Sequence, residues 1–237
     1  MERNDAHSYA RQVLAPGTGE RYTCRPPDPG KETLVTHRLL VLVLLASVGL
    51  ALPASGQATA GTVDVATVHG SAIEHQAREQ LLRIVSTWDL SPWLFTRTVQ
   101  IDSGVIPHSH PVLTVNTRYL DNDTAQIATF VHEQLHWFFV QHRAATDSAI
   151  AHLEVRFPDA PSGPPEGARD RYSTYLHLLV CALEHDSLRR LFDEDVADRT
   201  LRSWRHYPWV YRQVLENPDP IREALRRFGI DDPDARR

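Results

Sequence analysis

Lysine is nearly missing from this chain of 237 residues: Lys31 is the single example, and arginine carries the rest of the fixed positive charge. Methionine stands only at position 1. The Arg-rich, Lys-poor balance points to a GC-rich genome, and the lack of an internal methionine leaves no later ATG as a start. Cysteine is scarce, with Cys24 and Cys181 alone, which limits the chain to one disulfide at most. There is no block of basic residues and no interleaving of basic with aromatic side chains, and the net charge is −5. That excludes the electrostatic footprint of a nucleic-acid partner. Long apolar runs are also few. The longest, Leu39–Leu52, has about fourteen residues, short of the ~20 that a spanning helix needs. Internal repeats and long low-complexity runs are lacking.

What is present is ordinary globular material, 42% hydrophobic and 23% charged, enough for one domain with a real core. Residues 1–34 are polar, rich in Pro and Gly, and without periodicity. After them Arg38, the apolar run and the small-residue stretch Pro53-Ala54-Ser55-Gly56-Gln57-Ala58 form the three parts of a secretory signal. A long acidic preface does not suit such a signal. The expected start is therefore Val35, read from a GTG codon, with 1–34 a disordered or spurious extension. Residues 35–58 are then a signal peptide or, uncleaved, a signal anchor. The protein is expected to be exported (periplasmic, extracellular or membrane-anchored facing outside), and its one domain to span 59–237. Cleavage would leave Cys181 alone, so no intramolecular disulfide is expected despite export.

The chemistry concentrates in residues 124–142, TAQIATFVHEQLHWFFVQH. Ile127, Phe130, Val131, Leu135, Phe138 and Phe139 recur at helical spacing, no Gly or Pro follows until Pro158, and Asp121 and Asp123 are N-cap candidates. Within this helix His132-Glu133-Gln134-Leu135-His136 matches H-E-x-x-H. One turn apart, His132 and His136 share a face and can reach one ion, and Glu133 beside them can take a proton from water at that ion. The bland alternative is a chance match. Against it stands the cost of burying a charged Glu among Phe, Val and Trp without a partner, which a metal site would explain.

Residues 71–88 read as an amphipathic helix with a Ser71–Glu74 capping box, an apolar stripe through Ile73, Ala77, Leu81, Ile84 and Val85, and His75 on the solvated face. Residues 94–102 and 112–120 read as strands, paired as a hairpin or as part of a small antiparallel or mixed sheet. His108 and His110, in the loop between them, read as loop histidines. A long helix follows over 168–192, after a Pro- and Gly-rich loop at 156–167, and places His177, Cys181 and Glu184 on one stripe. Short helices are expected over 207–216 and 220–228, and Gly229 is the expected C-cap.

On these residues, 71–190 resembles the catalytic domain of zincin metallopeptidases, closest in spacing to the gluzincin branch. The resemblance rests on His132, Glu133, His136 and the helix–sheet–helix order. It implies an α+β, mostly helical domain with a small sheet before the motif helix, and one Zn²⁺ per chain. It also implies peptide or protein substrates lying along the last strand, at Leu113, Val115 and Asn116, and a third ligand on a later helix. The longer metzincin pattern is absent, since Phe139 stands where that pattern has Gly, so His142 should continue the helix and face the surface. The gluzincin E-x-x-D companion is also missing, because Ser187 occupies its place. His177 is the preferred third ligand, with Glu184 orienting a ligand histidine, and Glu184 is the alternative ligand. Glu133 would be the general base. Tyr207, His206 or Arg205 would donate to the oxyanion, though the aromatic group around them also reads as plain packing. Two further readings stand beside the peptidase: a zincin-fold metal-binding protein that cuts nothing, and a non-catalytic helical domain of the cell envelope.

Overall fold

In the computed structural model, described for residues 62–235, a small sheet opens the fold and helices complete it. The class is α+β. The segments expected to be an extension (1–34) and a signal (35–58) both lie, with 59–61, outside the described residues. Among the described residues no helix is long and apolar enough to cross a membrane.

Strand β1 (Asp64–Thr67) leads into helix α1 (Ala72–Thr87), then β2 (Thr98–Ile101) and β3 (Leu113–Val115). The order is β1-β2-β3, and both pairings are parallel. The hairpin and the antiparallel alternative are thereby corrected. A hairpin reverses through a tight turn, whereas α1 separates β1 from β2 and the irregular 102–112 stretch separates β2 from β3, and each returns the chain to the same end. Val65, Val99, Ile101, Leu113 and Val115 turn into the core. The strands are also shorter than the alternation suggested, and β1 adds a strand the pattern had not separated.

Helix α1 starts at the expected capping box: the Ser71 hydroxyl accepts from Glu74 N–H, and the Glu74 carboxylate reaches back to Ser71 N–H. Ala77, Leu81, Ile84 and Val85 of the expected stripe are buried, and its first residue is not. Ile73 is 44% exposed, while Glu74 and Gln80 are buried. Glu74 is taken inward because its carboxylate also accepts from His69 N–H, Ser103 N–H and the Ser103 hydroxyl, which ties the helix start to the end of β2.

Helix α2 (Asp123–Gln141) carries the motif. Its cap is Asn122 rather than Asp121 or Asp123. The Asn122 side chain accepts from Ala125 N–H at 3.0 Å, and Asp123 pairs with Arg83 instead. The helix stops at His142, where the backbone leaves helical values, and α3 (Arg143–Arg156) starts at once. The expected continuation through His142 is thus overturned. Its ring turns back on its own helix, Nδ1–H donating to Phe138 O, against the Phe138 ring.

After a loop come α4 (Arg171–Leu191, capped by Asp170), α5 (Glu194–Ser203, capped by Asp193), α6 (Pro208–Glu216) and α7 (Pro218–Arg227). Gly229, at φ 63°, sits past the end of α7, and Ile230 N–H returns to Leu225 O as expected of a glycine cap. Helix α4 is the central element: it packs against α2, α5 and α6, and its buried face runs from Thr174 to Leu188. This pairing of α2 with α4 sets the site.

Candidate metal centre

Two buried helices face one another through three imidazoles. His132 and His136 lie one turn apart on α2, and His177 comes from the second turn of α4. Their ring centroids are 5.1, 5.5 and 5.0 Å apart, close to an equilateral triangle. One nitrogen of each can lie within 4.8 Å of the others, an arrangement that could hold a metal ion.

The rings are oriented from behind. His132 Nδ1 is 2.8 Å from Glu184 Oε2, and Glu184 is itself 1% exposed. The other Glu184 oxygen accepts from Trp204 Nε1–H at 3.2 Å. His177 Nδ1–H donates to the Ser173 carbonyl one turn earlier, at 2.6 Å. Both histidines therefore spend Nδ1 on support and keep Nε2 for the space between the helices. Glu184 accordingly meets His132 at Nδ1. Cys181, also buried, lies close to both His132 and Glu184.

The protonation states agree with this division. Burial pushes His136 well below the usual imidazole range, and the charge of His132 adds to it. Burial, with His132 again, brings His177 down to about 3, despite the Ser173 carbonyl. Both are neutral, as ligands must be. Burial alone would lower His132 as well, but the hydrogen bonds to Cys181 and Glu184 and the Glu184 charge raise it well above the ordinary value. His132 would hold a metal as a neutral ring, with its Nδ1–H kept on Glu184. Burial raises the Cys181 thiol to about 11, so the second conceivable cluster, His132 with Cys181 and Glu184, keeps a protonated thiol and serves as support for the ring. Three imidazoles with a carboxylate on one of them are a donor set that could hold a metal ion.

Glu133 lies beside His132 on the cavity wall. Burial raises its carboxyl to about 7, against the lowering effect of the His132 and His108 charges. The cavity, of about 270 Å³, runs from His132 and Glu133 to Arg118 and Tyr119, under a cover of Trp204, Tyr207 and Tyr211. Tyr207 packs its ring 4.6 Å from His177. It holds a left-handed backbone, φ 33°, at the start of α6, an uncommon conformation for a residue with a side chain. Burial raises its hydroxyl well above the ordinary value, so it stays a donor. His206 also lines the cavity, and Arg205 does not.

The substrate strand is corrected. Thr114 N–H donates to His108 O at 2.8 Å and His108 N–H to Thr114 O at 3.0 Å, which closes the outer edge of β3. Val115 O accepts from Asp102 N–H on the β2 side, and by strand alternation the Leu113 backbone points the same way. The Asn116 side chain is held by Val105 O and Arg118 N–H. Thr114 and Asn116 therefore hold the loop over 105–110, and the Leu113 and Val115 backbone is directed to β2 and offers no free edge.

That loop is the site's other wall. Trp137 Nε1–H donates to Ser109 O, and His110 stacks on Trp137 at 4.3 Å. His108 and His110 bear electrostatically on Glu133 and His136. The flanking proline gave no signal of this nearness. Gln134, at a variable position of the motif, was also silent in the sequence. Its amide oxygen accepts from Phe95 N–H (2.8 Å) and Thr96 N–H (2.9 Å), and its nitrogen donates to Thr96 O (2.8 Å), which fixes α2 to the chain entering β2. His75 is exposed on α1, as expected.

Comparison of the chain with protein families, with characterised proteins and with solved structures finds no match. The class defined by the fold and the site together is a helical α+β domain with buried His, Glu and Cys groups that could hold a metal ion.

Proposed function

We propose that this chain is an exported zinc-dependent hydrolase that cuts peptide bonds. The observation that carries the reading is the convergence of His132, His136 and His177 from two helices, with a buried, otherwise uncommitted carboxylate, Glu133, beside His132 on the wall of a cavity. Zinc held by the three imidazoles would supply a Lewis acid and bring the pKa of a water into the neutral range. Glu133, with a pKa of about 7, is poised to take that water's proton and return it to the leaving amine. Glu184 holds His132 in one tautomer and orientation, and the Ser173 carbonyl does the same for His177. The Tyr207 hydroxyl, kept protonated, is placed to donate to the carbonyl oxygen as it gains charge. The aromatic cover limits water around the reacting carbonyl.

The test is metal content of the purified protein and of three variants. About one zinc per chain is expected, lost in His132→Ala and in His177→Ala and kept in Glu184→Gln. Zinc kept in His177→Ala and lost in Glu184→Gln would move the third position to Glu184. No metal after zinc is supplied would refute the reading and leave a helical envelope domain. In Glu133→Gln, zinc should remain while peptide cleavage disappears. Cleavage at the full rate in that variant would remove Glu133 as the base, and zinc without cleavage in the unaltered protein would leave a metal-binding protein.

A further inference from the structure

The cavity beside Glu133 holds a charge for which hydrolysis has no use. Arg118 lines it, from the turn after β3. The turn is fixed by Arg118 N–H donating to Asn116 Oδ1 at 3.1 Å. The guanidinium itself is exposed and has no ion pair or side-chain hydrogen bond among the described residues, and its charge bears on His206, which lines the same cavity. Most other arginines near the site's helices are spoken for: Arg222 pairs with Asp186, Arg202 with Asp198 and Arg212 with Glu166.

We propose that Arg118 anchors the α-carboxylate of a peptide's last residue, which makes the chain a carboxypeptidase that removes one C-terminal residue at a time. The inference rests on the peptidase reading above and narrows it. Four observations lead to it. The cavity, about 270 Å³, lies below the range of roughly 300–1,000 Å³ usual for ligand pockets, so it has room for about one residue beyond the cut bond. The outer edge of β3 is closed by His108, so an extended chain cannot lie along it as an added strand. The two carboxylates lining the cavity are committed, Glu133 to the water and Glu184 to His132 and Trp204. An N-terminal ammonium would therefore meet no free anion, while a C-terminal carboxylate meets a free guanidinium whose fork matches it in two hydrogen bonds. The walls between Arg118 and Glu133 are apolar and aromatic, from Ile106, Tyr119, Trp204 and Tyr211, which selects a large apolar side chain for that last residue. In the reaction, water oxygen bonds to the carbonyl carbon and the C–N bond breaks. One water proton passes through Glu133 to the amine nitrogen, and the products are a shortened peptide with a new carboxylate and a free amino acid.

The test is binding rather than turnover. Acetyl-Gly-Phe as the free acid, its C-terminal amide, and acetyl-Gly-Asp amide are titrated calorimetrically into the zinc-supplied Glu133→Gln protein, with and without Arg118→Ala or Arg118→Lys. The free acid should bind about tenfold or more tightly than the amide. Arg118→Ala should erase that difference and Arg118→Lys should keep part of it, all with unchanged melting temperature because the guanidinium is exposed. Equal binding of acid and amide, or binding of neither, overturns the anchor. Tight binding of acetyl-Gly-Asp amide overturns it too, since the site would then read a side-chain carboxylate. If the acid binds through Arg118 but the unaltered protein cuts no peptide, the peptidase reading alone falls.

Discussion

Replacing Gln134 by methionine, which keeps the length of the side chain and removes its amide, should cost about 2–4 kcal/mol of stability. Gln134 is fully buried, and its three hydrogen bonds run to the backbone of Phe95 and Thr96 at 2.8–2.9 Å. Each such bond is worth about 1 kcal/mol net, and a polar group left without its partner costs up to about 3 kcal/mol. Phe95 and Thr96 are half-buried, so water can meet part of the loss, which keeps the total near the sum of the three bonds. For a domain of this size about 1 kcal/mol shifts the melting point by roughly 2–4 °C, so the expected drop is about 4–16 °C. The assay is urea unfolding of both proteins followed by tryptophan fluorescence, with the midpoints compared at equal slope. A loss below about 1 kcal/mol would refute the reasoning, because it would mean that the tether between α2 and the strand entry is not what holds the motif helix in place.

Other outcomes follow from the same geometry. Glu184→Gln should weaken zinc binding about 10–100-fold without changing its stoichiometry, measured by competition with a chelator; an unchanged affinity would deny Glu184 its support of His132. Tyr207→Phe should keep the fold and the zinc while lowering kcat about 10²-fold on any peptide the protein cuts, and a normal kcat would exclude the hydroxyl as the oxyanion donor. Glu74→Gln should give a pH signature. Burial alone would raise the Glu74 carboxyl, but hydrogen bonds from Ser103, His69 and Ser71 hold it down at about 2, below its unfolded value near 4.5. The stability it contributes is therefore complete above pH 4.5 and lost as pH falls towards 2. The variant should melt earlier than the parent at pH 7 and converge with it near pH 2, and a gap independent of pH would contradict this.

The motif helix, the long helix carrying His177 and Glu184, the capping box at Ser71 and the glycine stop at Gly229 were legible because each has a local signal: a 3.6-residue period, a cap, or a residue type required by the backbone. The sheet direction was not legible. Alternating residues at 94–102 and 112–120 report burial of one face, and the same alternation serves parallel and antiparallel neighbours. The β3 edge failed for a related reason, since its partner is a single residue, His108, in a segment without periodicity. The exposure of Ile73 at the start of α1 came from Glu74, whose carboxylate found three partners, two of them outside its own cap, and so went inward ahead of Ile73. At the site, spacing brought His132, His136 and Glu133 together because one helix holds them. Arg118, Trp204 and Gln134 come from separate elements or play roles that only the packing defines.

Tyr207 shows how the fold and the site trade against each other. Its left-handed backbone, at φ 33°, costs on the order of 1–2 kcal/mol for any residue with a side chain. Glycine would adopt the same conformation without that cost, yet it would remove the ring that lies 4.6 Å from His177 and the hydroxyl over the cavity. Deleting a packed aromatic ring costs about 3–5 kcal/mol, more than the strain that glycine would relieve. The backbone angle is therefore held by the ring's own contacts with His132, His177, His206 and Tyr211, and the strain is a load that the packing of those four rings carries.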